Sequence, residues 1–256
     1  MPRFSANLSM LFGEHEFLDR FDAAARAGFK GVEYIGPYDH TPDVVAARLK
    51  KNGLTQVLFN LPAGDWGNGE RGIAVLPDRA PEFRQGIAKA ISYAHALGCE
   101  QVNCLAGIAP QGVDRSVLEN TLAENLAFAA EKLEQAGIRL LIEPINTRDI
   151  PGFFLNYSEQ ALALIERVGS KNLFLQYDIY HMQIMEGISP VPSRPTSAAS
   201  RISSLRTIPA VTSRDGRDQL SLPLRAYRQD RLFRLGRSGI QTEGGDGGWA
   251  GVVSGA

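Results

Sequence analysis

Two carboxylates stand at the ends of apolar runs. Glu143 closes Arg139-Leu140-Leu141-Ile142, and Asp178 closes Leu173-Phe174-Leu175-Gln176-Tyr177. A carboxylate that ends a buried strand needs hydrogen bonds, a cation or a metal ion to compensate its charge. Two oxygen donors on neighbouring strand ends suit a hard divalent ion such as Mg²⁺ or Mn²⁺; capping a helix or pairing with an arginine would also account for each. His181 follows Asp178 by three residues, on the loop expected to leave the same strand. It can serve as a third ligand, a substrate hydrogen-bond donor or a proton shuttle. Asn7, Glu33, Asn60 and Asn103 occupy comparable strand-end positions. Arg71 lies in a Gly-rich, charged stretch, residues 61–79, that also carries Asp65, Trp66 and Glu70. Long loops of this kind act as lids or substrate clamps. A guanidinium there can hold a substrate carboxylate in bidentate fashion, the alternative being a solvated surface charge.

These residues depend on a regular framework. Apolar runs at residues 3–8, 32–34, 55–60, 101–105, 139–143 and 173–178 read as strands. Helical segments at 17–27, 41–51, 81–97, 117–135 and 158–168 fall between them, with Thr41 placed to cap the second and Gly53 to stop it. Six βα units with short connections predict a parallel sheet with helices outside. In a chain of 256 residues the leading architecture is a (β/α)₈ barrel, whose chemistry sits at the carboxyl ends of its strands. A doubly wound sheet is the alternative, but no Gly-x-Gly-x-x-Gly turn follows the first strand. After Tyr180 the alternation stops, and the last two units are missing. Six units alone leave two open sheet edges.

Composition narrows the class. A hydrophobic fraction of 44% and a charged fraction of 21% describe a globular chain. No run approaches the ~20 apolar residues of a membrane span, and residues 1–7 lack the apolar core of an export signal. Cys99 and Cys104 are too few for a disulfide framework or a Cys-built zinc site and read as small buried apolar residues. The expectation is a cytoplasmic protein with no membrane partner. The net charge of −1 argues against nucleic acid as a partner.

That net charge hides a break. Residues 1–188 hold 17 Lys and Arg against 23 Asp and Glu, whereas residues 189–256 hold ten Arg, no Lys and five acids. The apolar residues of this basic, Ser- and Gly-rich tail follow neither a strand nor a helix period. It is read as a disordered segment separate from the barrel domain at 1–187.

The motifs within the first 187 residues resemble the hydroxypyruvate isomerases of the xylose isomerase-like barrel superfamily. The resemblance is carried by Arg3-Phe4-Ser5-Ala6-Asn7-Leu8-Ser9-Met10, by Asn60-Leu61-Pro62-Ala63-Gly64-Asp65-Trp66 and by Gly69-Glu70-Arg71-Gly72. It continues through Ile142-Glu143-Pro144-Ile145-Asn146 and Gln176-Tyr177-Asp178-Ile179-Tyr180-His181. It implies interconversion of two small hydroxy-oxo acids, hydroxypyruvate and tartronate semialdehyde, with the related 2-oxotetronate as an alternative substrate. It further implies two glutamates as an acid–base pair and Mg²⁺ held by Glu, Asp, Gln and Glu. Glu143 matches the first glutamate, both catalytic and ligating, and Asp178 matches the aspartate ligand. Superfamily members that repair abasic DNA need a His-rich multi-zinc site. Only His15, His40, His95 and His181 occur here, which sets that activity aside.

The family's remaining ligands lie in two later motifs, His-x-Gln-x-Ala-Asp-Asn-Pro and Gly-Cys-Glu-Tyr-Lys-Pro, and neither is present. At the corresponding places stand Ile202-Ser203-Ser204-Leu205-Arg206-Thr207-Ile208-Pro209 and Arg237-Ser238-Gly239-Ile240-Gln241. Codons for His-Leu-Gln-Leu-Ala-Asp-Asn-Pro, read one base late, can encode residues 202–209 as they stand. The tail is therefore read as an out-of-frame version of the family's own ending. It would leave Mg²⁺ weakly bound and the isomerase slow or inactive, or else a non-catalytic barrel with a basic interaction segment.

Overall fold

The computed structural model describes residues 3–187, together with five short strands beyond them that are described by backbone alone. The rest of 188–256, where the reading of a disordered, out-of-frame tail falls, lies outside the described residues. Six strands run in parallel around the barrel: β1 (Arg3–Asn7), β2 (Gly31–Tyr34), β3 (Thr55–Asn60), β4 (Gln101–Cys104), β5 (Arg139–Ile142) and β6 (Leu173–Asp178). The helices between them are α1 (Arg20–Arg26), α2 (Pro42–Asn52), α3 (Ala80–Leu97), α4 (Arg115–Gln135) and α5 (Ser158–Val168), with α6 (Ile179–Glu186) after β6. The six units are those that the hydrophobic pattern predicts.

The two edges that six units would leave are covered. β7 (Ile202–Arg206) pairs in parallel with β6, and β11 (Trp249–Gly251) pairs with both β7 and β1, closing an eight-stranded ring. Between them, β8 (Arg225–Arg228), β9 (Arg231–Gly236) and β10 (Gly239–Gln241) form a separate antiparallel sheet. These two strands occupy the seventh and eighth ring positions.

Local chemistry explains the element ends. Pro42 lies in the first turn of α2, and Gly53 ends that helix in the left-handed region at φ 58°. The side chain of Thr41 makes no capping bond there, so proline and glycine set the limits of the helix. Asp114 caps α4 by accepting from Ser116 N at 2.7 Å. Along the strands, alternate side chains face the helices and the barrel interior. Leu140, Ile142, Leu173 and Leu175 join the main core, whereas Leu141 packs with Val57, Leu58 and Phe174. Cys99 and Cys104 are buried and unbridged, and burial pushes both thiols up to about 12, in keeping with their reading as apolar filler. No helix among the described residues is long and apolar enough to cross a membrane.

The loop between β3 and α3 rests backbone to backbone on the segment after β4. A Cβ on Gly72 (φ 113°) would collide with the carbonyl of Leu105. Gly72→Ala is expected to cost about 2 kcal/mol or more, since it combines left-handed strain with a clash against main chain. Urea unfolding checks this; a loss below about 0.5 kcal/mol would mean that the loop shifts without cost.

Candidate active site at the carboxyl-terminal mouth

Strand ends deliver the polar residues to one face. Glu143, directly after β5, is 5% exposed, and Asp178, the last residue of β6, is 0% exposed. One ligand atom from each of Glu143, Asp178 and His181 lies within 4.8 Å of the others. Among the described residues this is the one group of three or more His, Cys, Asp or Glu that could hold a metal ion.

Each carboxylate is oriented by its neighbours. The Oε2 atom of Glu143 accepts from Asn103 Nδ2 at 3.1 Å, and the same amide nitrogen donates to Asn60 Oδ1 at 3.1 Å. A line of strand-end side chains from β3 through β4 thus holds the Glu143 carboxylate in place. On the other side, Asp178 Oδ1 accepts from the backbone N–H groups of Tyr180 at 2.8 Å and His181 at 3.3 Å. That makes Asp178 the N-cap of α6, where a carboxylate also meets the positive end of the helix dipole. Helix capping and cation binding, offered by the sequence as alternatives for Asp178, are compatible: the cap sets the direction of the side chain. His181 therefore sits in the first turn of a helix, not in a loop as the sequence suggested.

A buried polar network joins His181 to the β5–α5 connection. Asn146, fully buried, donates from Nδ2 to Asp149 Oδ2 at 2.9 Å and contacts His181 Nδ1 at 2.6 Å. Tyr180 donates its hydroxyl to Asp149 Oδ2 at 2.7 Å. Burial pushes the Asp149 carboxyl up, but the hydrogen bonds from Asn146 and Tyr180, chief among the lowering causes, outweigh it and leave the group below the ordinary range. Burial, with the bond to Asp149, raises the Tyr180 phenol. Single-residue inspection of the sequence passes over Asn146, Asp149 and Tyr180; the available signal was the spacing of two polar residues three and six positions after Glu143.

Glu33 forms a second buried acid, accepting from Ser5 Oγ and Asn7 Nδ2 at 3.3 Å each. Arg71 is engaged within its own loop. Its Nη1 donates to the carbonyls of Trp66 at 3.0 Å and Glu70 at 2.7 Å, and its guanidinium stacks on the Trp66 ring at 4.1 Å. Glu70 pairs with Arg79 and accepts from Asp65 N, which ties the loop into one unit. The structure thus brings Glu143, Asp178 and His181 together and places Arg71 on a braced loop with its contacts local.

The donor set fits a divalent cation: two buried carboxylates converge from adjacent strands with an imidazole beside them. Known proteins resemble the chain over most of its length. The model of the family described as "Xylose isomerase-like TIM barrel" matches residues 21–224. Hydroxypyruvate isomerase of Escherichia coli is 57% identical over 187 residues, covering 73% of this chain and 72% of that protein. The 2-oxo-tetronate isomerase of Cupriavidus necator is 51% identical over 187 residues, with the same coverage of 73% and 72%. The crystal structure of an AP endonuclease, family 2, from Brucella melitensis superposes with a TM-score of 0.76 at 45% identity, covering 81% of this chain and 80% of that one. With carboxylates at the mouth of a parallel barrel and both sequence and structure matching over most of its length, the chain belongs to the xylose isomerase-like TIM barrel family.

Proposed function

We propose that the chain is a hydroxypyruvate isomerase that moves a carbonyl between C2 and C3 of a three-carbon oxo acid, with Glu143 as its proton-transfer group. The observation that carries this reading is the convergence of Glu143 and Asp178, buried at neighbouring strand ends with a ring nitrogen of His181 within 4.8 Å of both. Isomerisation breaks a C–H bond at C3 and forms one at C2, while the proton on the C3 hydroxyl leaves and one is gained on the C2 oxygen. Glu143 takes the C3 proton, and Asn103 keeps the carboxylate turned toward it. Asp178 and Glu143 would hold Mg²⁺ or Mn²⁺. When bound, the cation supplies positive charge against the negative charge that builds on the substrate oxygens. Arg71 is the candidate for the substrate carboxylate, its guanidinium already oriented by Trp66 and Glu70.

The 51% identity to a 2-oxo-tetronate isomerase favours a second substrate, longer by one hydroxylated carbon, for the same chemistry. DNA repair has less support: His40 stacks on Phe17 and His95 bonds the Ala136 carbonyl, so neither joins His181 at the mouth. The direct test is proton NMR of the full chain with Mg²⁺ in D₂O, supplied separately with hydroxypyruvate and 2-oxotetronate. Tartronate semialdehyde formation is expected from hydroxypyruvate, with deuterium entering C2 of the product and C3 of the recovered hydroxypyruvate. Faster turnover of 2-oxotetronate would reassign the substrate. No exchange with either at stoichiometric protein would leave a non-catalytic barrel.

A further inference from the structure

We infer that Asn146 is a positioning residue that locks neutral His181 as its Nε2–H tautomer, so that His181 serves the site as a hydrogen-bond donor and stands outside the metal's ligand set. The role toward substrate rests on the isomerase reading; the tautomer does not.

The argument begins with the direction of one amide. Asp149 N–H donates to Asn146 Oδ1 at 2.8 Å, and Asn146 Nδ2 donates to Asp149 Oδ2 at 2.9 Å. A flipped amide would set its NH₂ against a backbone N–H and its oxygen against a carboxylate, losing both bonds and creating two repulsive contacts. Asn146 is fully buried, so water offers no replacement partner. Tyr180 reinforces the arrangement by donating to the same Asp149 oxygen.

With the amide fixed, the second Nδ2 hydrogen falls on His181 Nδ1 at 2.6 Å. The backbone N–H of Asn146 approaches the same ring nitrogen at 3.4 Å. Two donors on one nitrogen require it to be the unprotonated acceptor, and in a neutral imidazole the proton then resides on Nε2. A metal ion needs an imidazole lone pair. The Nδ1 lone pair is taken by Asn146, and Nε2 carries hydrogen. Although a ring nitrogen lies within 4.8 Å of the two carboxylates, the hydrogen bonds behind it assign His181 to donation. A fixed Nε2–H is suited to a substrate oxygen that alternates between carbonyl and hydroxyl as the proton moves.

The test is long-range ¹H–¹⁵N NMR of the imidazoles in the full-length, ¹⁵N-labelled chain, without metal or substrate. It is run at about pH 9, well above the ordinary imidazole pKa, and His181→Gln assigns the signals. The expected spectrum shows a pyridine-like Nδ1 and a pyrrole-like Nε2 for His181. Asn146→Asp replaces the donor by an acceptor and is expected to reverse that pattern. Asn146→Ala should give an averaged one. A wild-type spectrum with Nδ1–H or a mixture would overturn the inference, and so would a folded Asn146→Asp chain with an unchanged pattern. Wild type alone decides if the variants do not fold. Mn²⁺ titration followed by EPR gives a second readout. His181→Gln should shift the affinity by less than about two-fold, whereas a loss of about ten-fold or more would place His181 among the ligands. A chain with the expected tautomer but no turnover of either oxo acid would retain this assignment and remove the isomerase reading.

Discussion

Glu143→Gln is expected to lower deuterium exchange at C3 of hydroxypyruvate by about 10²–10⁴-fold, the usual contribution of a positioned general base. Glutamine keeps the shape of the side chain, and its oxygen can still accept from Asn103 Nδ2, so the Asn60–Asn103 line remains satisfied. What disappears is the group that can take a proton and return it. The fold should therefore survive, with a melting temperature within about 3 °C of the parent. Exchange is the proper readout because it records C–H cleavage even when net turnover is slow. Exchange that persists within about ten-fold of the parent would transfer the base to another residue, and Asp178 would be the first to examine. Asn103→Leu separates orientation from chemistry: the carboxylate remains but loses its donor, so the loss should be smaller than for Glu143→Gln.

The barrel units were legible because each strand is an apolar run bounded by a helix signal, and a pattern of this strength does not depend on tertiary context. Ser158–Val168 and Leu173–Asp178 fall where the pattern puts them. Glu143 and Asp178 stood out for a related physical reason: a charge ending a buried strand has to be explained. The helix Ile179–Glu186 was missed because its start signal is Asp178, a residue already read as a ligand, and because no glycine or proline marks its first turn. The closing strands Ile202–Arg206 and Trp249–Gly251 carry no period in sequence; ring closure is a non-local property of the sheet. The role of Asn146 depends on which way an amide faces, and that is set by Asp149 and His181 together.

Replacing residues 189–256 by the corresponding ending of the Escherichia coli relative is expected to raise hydroxypyruvate turnover by about 10²-fold or more. The expectation starts from the ring. Its seventh and eighth strands have the sequences ISSLR and WAG, which supply no carboxylate, amide or imidazole. Among the described residues the proposed cation site therefore offers two carboxylates, where a hard divalent ion seeks about six oxygens. The strand next to β7 also carries an unusual polar group. Gln176 is 0% exposed, and neither Oε1 nor Nε2 has a hydrogen-bond partner among the described residues; Ser204 stands opposite it in register. Each unsatisfied buried group costs about 1–3 kcal/mol, so an added polar neighbour for the Gln176 amide would stabilise β6. The resemblance places the family's ligating glutamine at position 204 and its second glutamate near Ile240, so the relative's ending is expected to add both ligands. The chimera should accordingly bind Mn²⁺ at least ten-fold more tightly and melt at a higher temperature than the chain as it stands. Equal turnover in the two chains, with the mass of the parent confirming its tail, would show that Glu143 and Asp178 suffice and that the last 68 residues are compatible with catalysis.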